Sequence, residues 1–214
     1  MLAAVSSFQT NGNLAGLPGL PLCCGRIADH HMYASLMEHL GTGRMIRLER
    51  ELQNEPSLHG YLIGLSPELG LMLCFDDFEP DGYTIFRVED VLSHQRGAHE
   101  EHWDRMLSGE GLLDGLRLPF EVDLSSYPAA LRSIAPRHAN VIIECEDQHE
   151  DDGDFYLGRL LEVGEEVVIL HYVDALGRWE ESPSRISVDA ITKVQFDTPY
   201  LRRFMRYTEP FPAH

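Results

Sequence analysis

Histidine pairs and runs of carboxylates are the side chains whose spacing here invites chemistry. His99-Glu100-Glu101-His102 sets two imidazoles three residues apart, close enough on a helix to share a metal ion. The pattern is not H-E-x-x-H, and no third ligand is signalled nearby. Surface histidines on a capped helix are the plainer reading. A metal-dependent enzyme using His99 and His102 is the disfavoured alternative. From Glu144 to Asp154 the chain carries seven carboxylates in eleven residues. Calcium is the tempting reading, but placing Gly153 at the sixth position of an EF-hand loop puts Gln148 first and Arg159 twelfth, which spoils both key ligands. The run reads instead as a solvated hairpin tip, and Asp76, Asp77, Glu79 and Asp81 form a similar acidic turn earlier in the chain.

Other chemistries fail on spacing. Ser66, in Gly64-Leu-Ser-Pro-Glu-Leu-Gly70, does not fit the G-x-S-x-G elbow, and no glycine-rich loop opens onto a helix to cradle a phosphate. Carboxylates on solvated tips keep ordinary acidities and make poor acid–base catalysts. No catalytic residue, no metal and no cofactor is therefore expected. The partner-binding candidates are Tyr83 with Arg87 and Trp179 with Arg178, aromatic–arginine pairs at matching turns, joined by the tip acids Asp76, Asp77, Asp81, Asp151, Asp152 and Asp154. The bland alternative is that each ring plugs the end of its own folding unit.

The elements that would position these residues come in two sets. Tyr33–Leu40 reads as an amphipathic helix feeding the strand Met45–Glu49; Tyr127–Ile134 reads as another, feeding Val141–Glu144. Each first strand ends on glutamate. A strand interrupted by glycine follows in both, at Gly60 and Gly158, and a glycine there marks a bend or a close backbone approach. Leu71–Phe75 matches Val167–His171, Asp81-Gly82-Tyr83 matches Gly177-Arg178-Trp179, and Val88-Glu-Asp-Val91 matches Val188-Asp-Ala-Ile191. His102–Leu107 and Tyr200–Met205 close each set with a helix, the second capped by Thr198-Pro199.

These ordered correspondences predict a tandem repeat of roughly 90 residues per copy. Five short strands with a bent second strand close most readily into a small barrel, and the Val-Glu-Asp-Val step resembles the single 3-10 turn that joins the last two strands of SH3-like and Sm-like barrels. The expected fold is mainly β with flanking helices (α+β): two tandem SH3/Sm-like small β-barrels, each with an N-terminal and a C-terminal helix. Expected boundaries are a disordered leader at 1–27, a first repeat at 28–108, a connector at 109–120 packed through its leucines, a second repeat at 121–208 and a tail at 209–214.

The segments Phe78–Val91, Ala175–Ile186 and Ile191–Tyr200 resemble those of a widespread, uncharacterised family of bacterial proteins with tandem SH3/Sm-like barrel repeats. The resemblance spans roughly Tyr33 to Tyr207, rests on structural rather than catalytic motifs, and implies fold and bacterial origin, not an activity.

Charge narrows the partners. Seventeen basic against thirty-five acidic residues leave a net charge of −18, which repels polyanions. An Sm-like RNA ring is disfavoured further because Arg96-Gly97 follows the last strand of the first copy instead of preceding it, and the second copy has Phe196-Asp197 at that place. No apolar run approaches the ~20 residues that span a bilayer. Four cysteines, at 23, 24, 74 and 145, form no C-x-x-C pair or disulfide framework, so a reducing cytoplasm is expected. The expected function is a non-enzymatic acidic protein-binding or scaffolding module of the bacterial cytoplasm with a basic protein partner. The alternative is an immunity-type inhibitor that neutralises a basic toxin or nuclease by phosphate mimicry.

Overall fold

The computed structural model describes residues 26–51, 57–113, 118–146 and 154–212. Residues 1–25 of the expected leader, Asp151 and Asp152 lie outside the described residues, while Arg26 and Ile27, also assigned to the leader, begin the first helix. In chain order come helix α1 (Arg26–Met37), strands β1 (Ile46–Arg50), β2 (Ser57–Leu65), β3 (Leu69–Asp76), β4 (Glu79–Arg87) and β5 (Val91–Gln95), then helices α2 (Ala98–Gly109) and α3 (Tyr127–Ile134). Strands β6 (Asn140–Cys145), β7 (Asp154–Val163), β8 (Val167–Tyr172), β9 (Ser184–Ser187) and β10 (Lys193–Phe196) follow, with a 3-10 turn at Val188–Ala190 before β10 and helix α4 (Pro199–Phe204) after it.

The chain is thus mainly β with helices, but separate closure of two barrels is not what the strands do. All ten form one continuous antiparallel sheet in the order β5-β1-β2-β3-β4-β10-β6-β7-β8-β9. Instead of turning back on its own half, β4 gives its free edge to β10, with Phe86 opposite Lys193 and Tyr83 opposite Phe196. Edge pairing satisfies the same backbone groups that closure would, so the physical demand to bury an edge is met across the repeat boundary.

Within the sheet the two halves repeat in register. Ile46 opposes Gly60, and Gly60 opposes Cys74; in the second half Val141 opposes Gly158, and Gly158 opposes Tyr172. An irregularity in the pairing falls between Leu62 and Gly64 in one copy and between Leu160 and Glu162 in the other. The Val88 N–H donates to the Glu68 carbonyl and the Val188 N–H to that of Glu166, so the step from fourth to fifth strand is built alike. Glycine is required in each second strand because a Cβ on Gly60 would sit 2.0 Å from the Leu73 carbonyl oxygen, and one on Gly158 2.0 Å from that of His171.

The helices cover the sheet in parallel fashion. In the first half Leu36 of α1 packs with Ile46, Met72 and Phe86, while Trp103 and Leu107 of α2 pack with Met45, Tyr61 and Phe75 in a separate cluster. In the second half α3 contributes Ala130, Leu131 and Ile134 to one core, and Leu201 of α4 packs with Ile142, Leu157 and Val173 in another. Ser126 caps α3 by accepting the Ala129 N–H, and Thr198 caps α4 by accepting the Leu201 N–H. The α3 core reaches across the repeat boundary to Leu69, Leu71 and Ile85. Of the connector's leucines, Leu112 and Leu113 lie against the Trp103 cluster and Leu118 against the α3 core, while Leu116 lies outside the described residues. The tail also docks, the Glu209 N–H donating to the Gly177 carbonyl.

Gly60→Ala and Gly158→Ala should each lose at least ~2 kcal/mol of stability in denaturant unfolding, because a backbone carbonyl cannot yield as a side chain would. Gly109→Ala, where a Cβ meets nothing within 4 Å, should be neutral or gain up to ~1 kcal/mol.

Candidate functional site

The acidic turn of the first half and the turn before Arg178 in the second come together on one side of the β4–β10 seam. A left-handed Asp77 (φ 50°) makes the tight turn between β3 and β4, with Asp76 opposite Glu79. Further along β4, Gly82 (φ 86°) brings its backbone so close to the end of β10 that a Cβ would lie 2.7 Å from Thr198 Cα. That approach seats α4 beside β4. The turn at 175–177 is held by Asp174, whose Oδ1 accepts the Leu176 and Arg178 N–H groups, each at 2.9 Å. Between these elements opens a cleft of about 1160 Å³ with Asp76, Asp77 and Asp81 on one side. The turn residue Leu176 and, from α4 and its end, Tyr200, Arg203 and Tyr207 lie on the other side, with Leu176, Tyr200 and Tyr207 strongly exposed at 74%, 54% and 85%. Arg202, also in the cleft, is tied to Asp197 at 2.8 Å.

Other candidate residues have partners away from this cleft. The Tyr83 ring stacks on Phe196, 5.1 Å between centroids, and burial raises its hydroxyl pKa. Trp179 packs edge-on against His171 and Phe211, and its Nε1–H donates to the Glu209 carbonyl. Arg178 pairs with Asp174 at 2.8 Å. Arg87 donates to the Asp189 carbonyl, linking β4 of one half to the 3-10 turn of the other. Asp154 is exposed and accepts the Tyr156 hydroxyl at 3.0 Å. His99 and His102 face different neighbours: the His99 ring lies against Trp103 (5.2 Å), while a guanidinium nitrogen of Arg105 stands 3.3 Å from His102 Nδ1. Among the described residues no group of three His, Cys, Asp or Glu side chains is placed to hold a metal. Burial pushes the Cys145 thiol up to about 11, which leaves little thiolate at neutral pH.

The strongest concentration of charge is one that no spacing rule reveals. Arg50, at the end of β1, makes a two-pronged contact with Glu146 beyond β6, at 2.7 and 3.0 Å, with both side chains essentially inaccessible to solvent. Lys193 of β10 is fully buried, 3.1 Å from Glu144 and 3.9 Å from Glu146. Thr192 Oγ1 lies 2.8 Å from Glu146 Oε2, and the Tyr127 hydroxyl donates to the Thr192 carbonyl at 2.6 Å. A cleft lined by Arg87, Glu89, Tyr127 and Asp189 has neither Lys193 nor Glu146 in its wall, and the cluster joins the two halves out of contact with solvent. Only the glutamate ending each first strand hinted at it; Arg50 and Glu146 lie 96 residues apart.

Comparison with protein-family models, with curated proteins and with solved structures returns no match. No helix among the described residues is long and apolar enough to cross a membrane.

Arg50→Met strands the Glu146 carboxylate and should cost about 3–5 kcal/mol in denaturant unfolding, with Arg50→Met/Glu146→Leu recovering most of it. Asp90, beside this cluster, has Oδ2 buried without a hydrogen-bond partner, and burial raises its pKa from 3.8 to about 6. The raised value favours the protonated, folded form. That stabilisation is complete below pH 3.8 and is lost as pH rises through about 6. Asp90→Asn should therefore stabilise the protein at pH 7.5 by on the order of 1 kcal/mol, solvent contact damping the rest, and lose that advantage near pH 4.

Proposed function

We propose that this is a non-enzymatic protein-binding module of the bacterial cytoplasm whose seam cleft receives a basic segment of a partner protein. One observation carries the reading: an acidic turn from one half and strongly exposed Leu176, Tyr200 and Tyr207 from the other line the same cleft. An acidic wall beside exposed aromatic and aliphatic side chains suits a segment that alternates lysine or arginine with apolar residues, and the net charge of −18 steers such a partner in. The non-enzymatic part draws support from the shut-in ion cluster and from the separate engagements of His99 and His102. Each five-stranded half is read as an SH3/Sm-like unit, supported by the repeated strand order, the matched irregularity in the second strand and the turn before the fifth.

A twelve-residue peptide alternating Lys and Leu serves as the probe. It should bind at 50 mM salt and weaken steeply by 300 mM. Asp76→Asn/Asp77→Asn/Asp81→Asn and, separately, Tyr200→Ser/Tyr207→Ser should each weaken it about tenfold in calorimetry. Affinity unchanged from that of the parent protein in either variant, or no binding at low salt, would overturn the reading.

A further inference from the structure

We propose that the free edge of β5 takes up an extended strand from a positively charged partner protein, in the antiparallel register that β4 shows against β10. The repeat supplies the template. His94 opposes Leu48 on β1 as Val194 opposes Ile143 on β6, so β5 and β10 are counterparts. Strand β10 is paired on both sides, with Val194 also opposite Ile85 and Gln195 also opposite Thr84 of β4. Among the described residues β5 has a strand on one side only, β1. The same fold, in the same chain, therefore displays what the β5 edge accepts.

The two ends of the sheet are treated differently. The counterpart of β4 is β9: Ile186 opposes Val168 as Phe86 opposes Gly70. In that strand Arg185 stands where β4 has Ile85, and just before the strand Pro183, which has no N–H to give, stands where β4 has Tyr83. Proline and charge are the usual protection of an edge against further pairing. Val91-Leu-Ser-His-Gln95 carries neither proline nor lysine, and Leu92 is 59% exposed.

The occupant follows from the same facts. A second copy would have to offer either the protected β9 or its own β5, and in both cases two chains of −18 repel each other. A cationic chain meets no such barrier, and main-chain pairing asks of it only an extended, alternating segment. This surface is distinct from the seam cleft. It rests on the protein-binding reading, yet it fails or stands by a separate measurement.

The probe is a synthetic peptide of residues 82–87, Gly-Tyr-Thr-Ile-Phe-Arg, flanked by two lysines at each end and titrated into the isotope-labelled full chain. Amide shifts and slowed hydrogen exchange should concentrate at Val91–Gln95, with Leu92→Lys weakening binding at least tenfold. His94→Pro, which imitates the protected edge, should do the same, its fold checked by circular dichroism. The variant Asp76→Asn/Asp77→Asn/Asp81→Asn should change this affinity by less than twofold, which separates the edge from the cleft. Shifts centred on the cleft, unaltered binding by Leu92→Lys, or no binding at millimolar peptide would overturn the proposal. So would a free chain that sediments as a dimer with its β5 amides already protected, since the occupant would then be a second copy.

Discussion

Arg50 ends the first strand of one half, and the carboxylate that holds it, Glu146, lies just past the first strand of the other. Around this contact sit a fully buried lysine, Lys193, its partner Glu144, and the Thr192 hydroxyl. Two charges taken out of water repay their desolvation only with close geometry and additional hydrogen bonds. Here both conditions are met, but only while β4 and β10 stay paired, because Lys193 and Thr192 belong to or adjoin β10 and Arg50 belongs to the opposite half. The ion cluster and the strand seam therefore stand or fall together. Apolar burial adds to them, since Leu69, Leu71 and Ile85 of the first half complete the core built on α3. A chain that would otherwise be two small units is made one sheet.

That joining places both proposed binding surfaces. Gly82 passes close under Thr198, which sets α4 against β4 and forms the cleft between the acidic turn and the exposed tyrosines. Without the seam, Asp76 and Tyr200 would belong to separate bodies. The seam also decides which edges remain: β10 and β4 consume each other, leaving β5 and β9 at the ends, one unprotected and one carrying proline and arginine.

The repeat was legible because its markers are local. Gly60 and Gly158 read as glycines in strands, Thr198-Pro199 as a helix start, and the apolar-acidic-x-apolar step as the turn before the fifth strand; each depends on neighbours within a few residues. Closure was not legible. Whether a strand edge meets its own half or the next depends on partners about a hundred residues away, and the apolar pattern of β4 is the same in either case. Arg50 likewise looks like a surface residue in Leu-Glu-Arg-Glu until Glu146 covers it. Tyr83 and Trp179 show the converse difficulty: aromatic residues at turns resemble contact residues, yet one ring stacks on Phe196 and the other is held by Phe211 and Glu209. Of the exposed rings, Tyr200 belongs to the Tyr200–Met205 helix pattern, whose aromatic face by itself reads as core-facing, and Tyr207 lies beyond that pattern.

Each half holds one of the chain's two tryptophans, Trp103 on α2 and Trp179 in the second half. Denaturant unfolding of Trp103→Phe and Trp179→Phe, following the remaining fluorescence together with far-ultraviolet circular dichroism, reads whether the seam couples the halves. Coincident midpoints in both single-tryptophan proteins are what a shared sheet with a buried ionic joint requires. Fluorescence that departs from the circular dichroism curve, with one half melting well before the other, would contradict it.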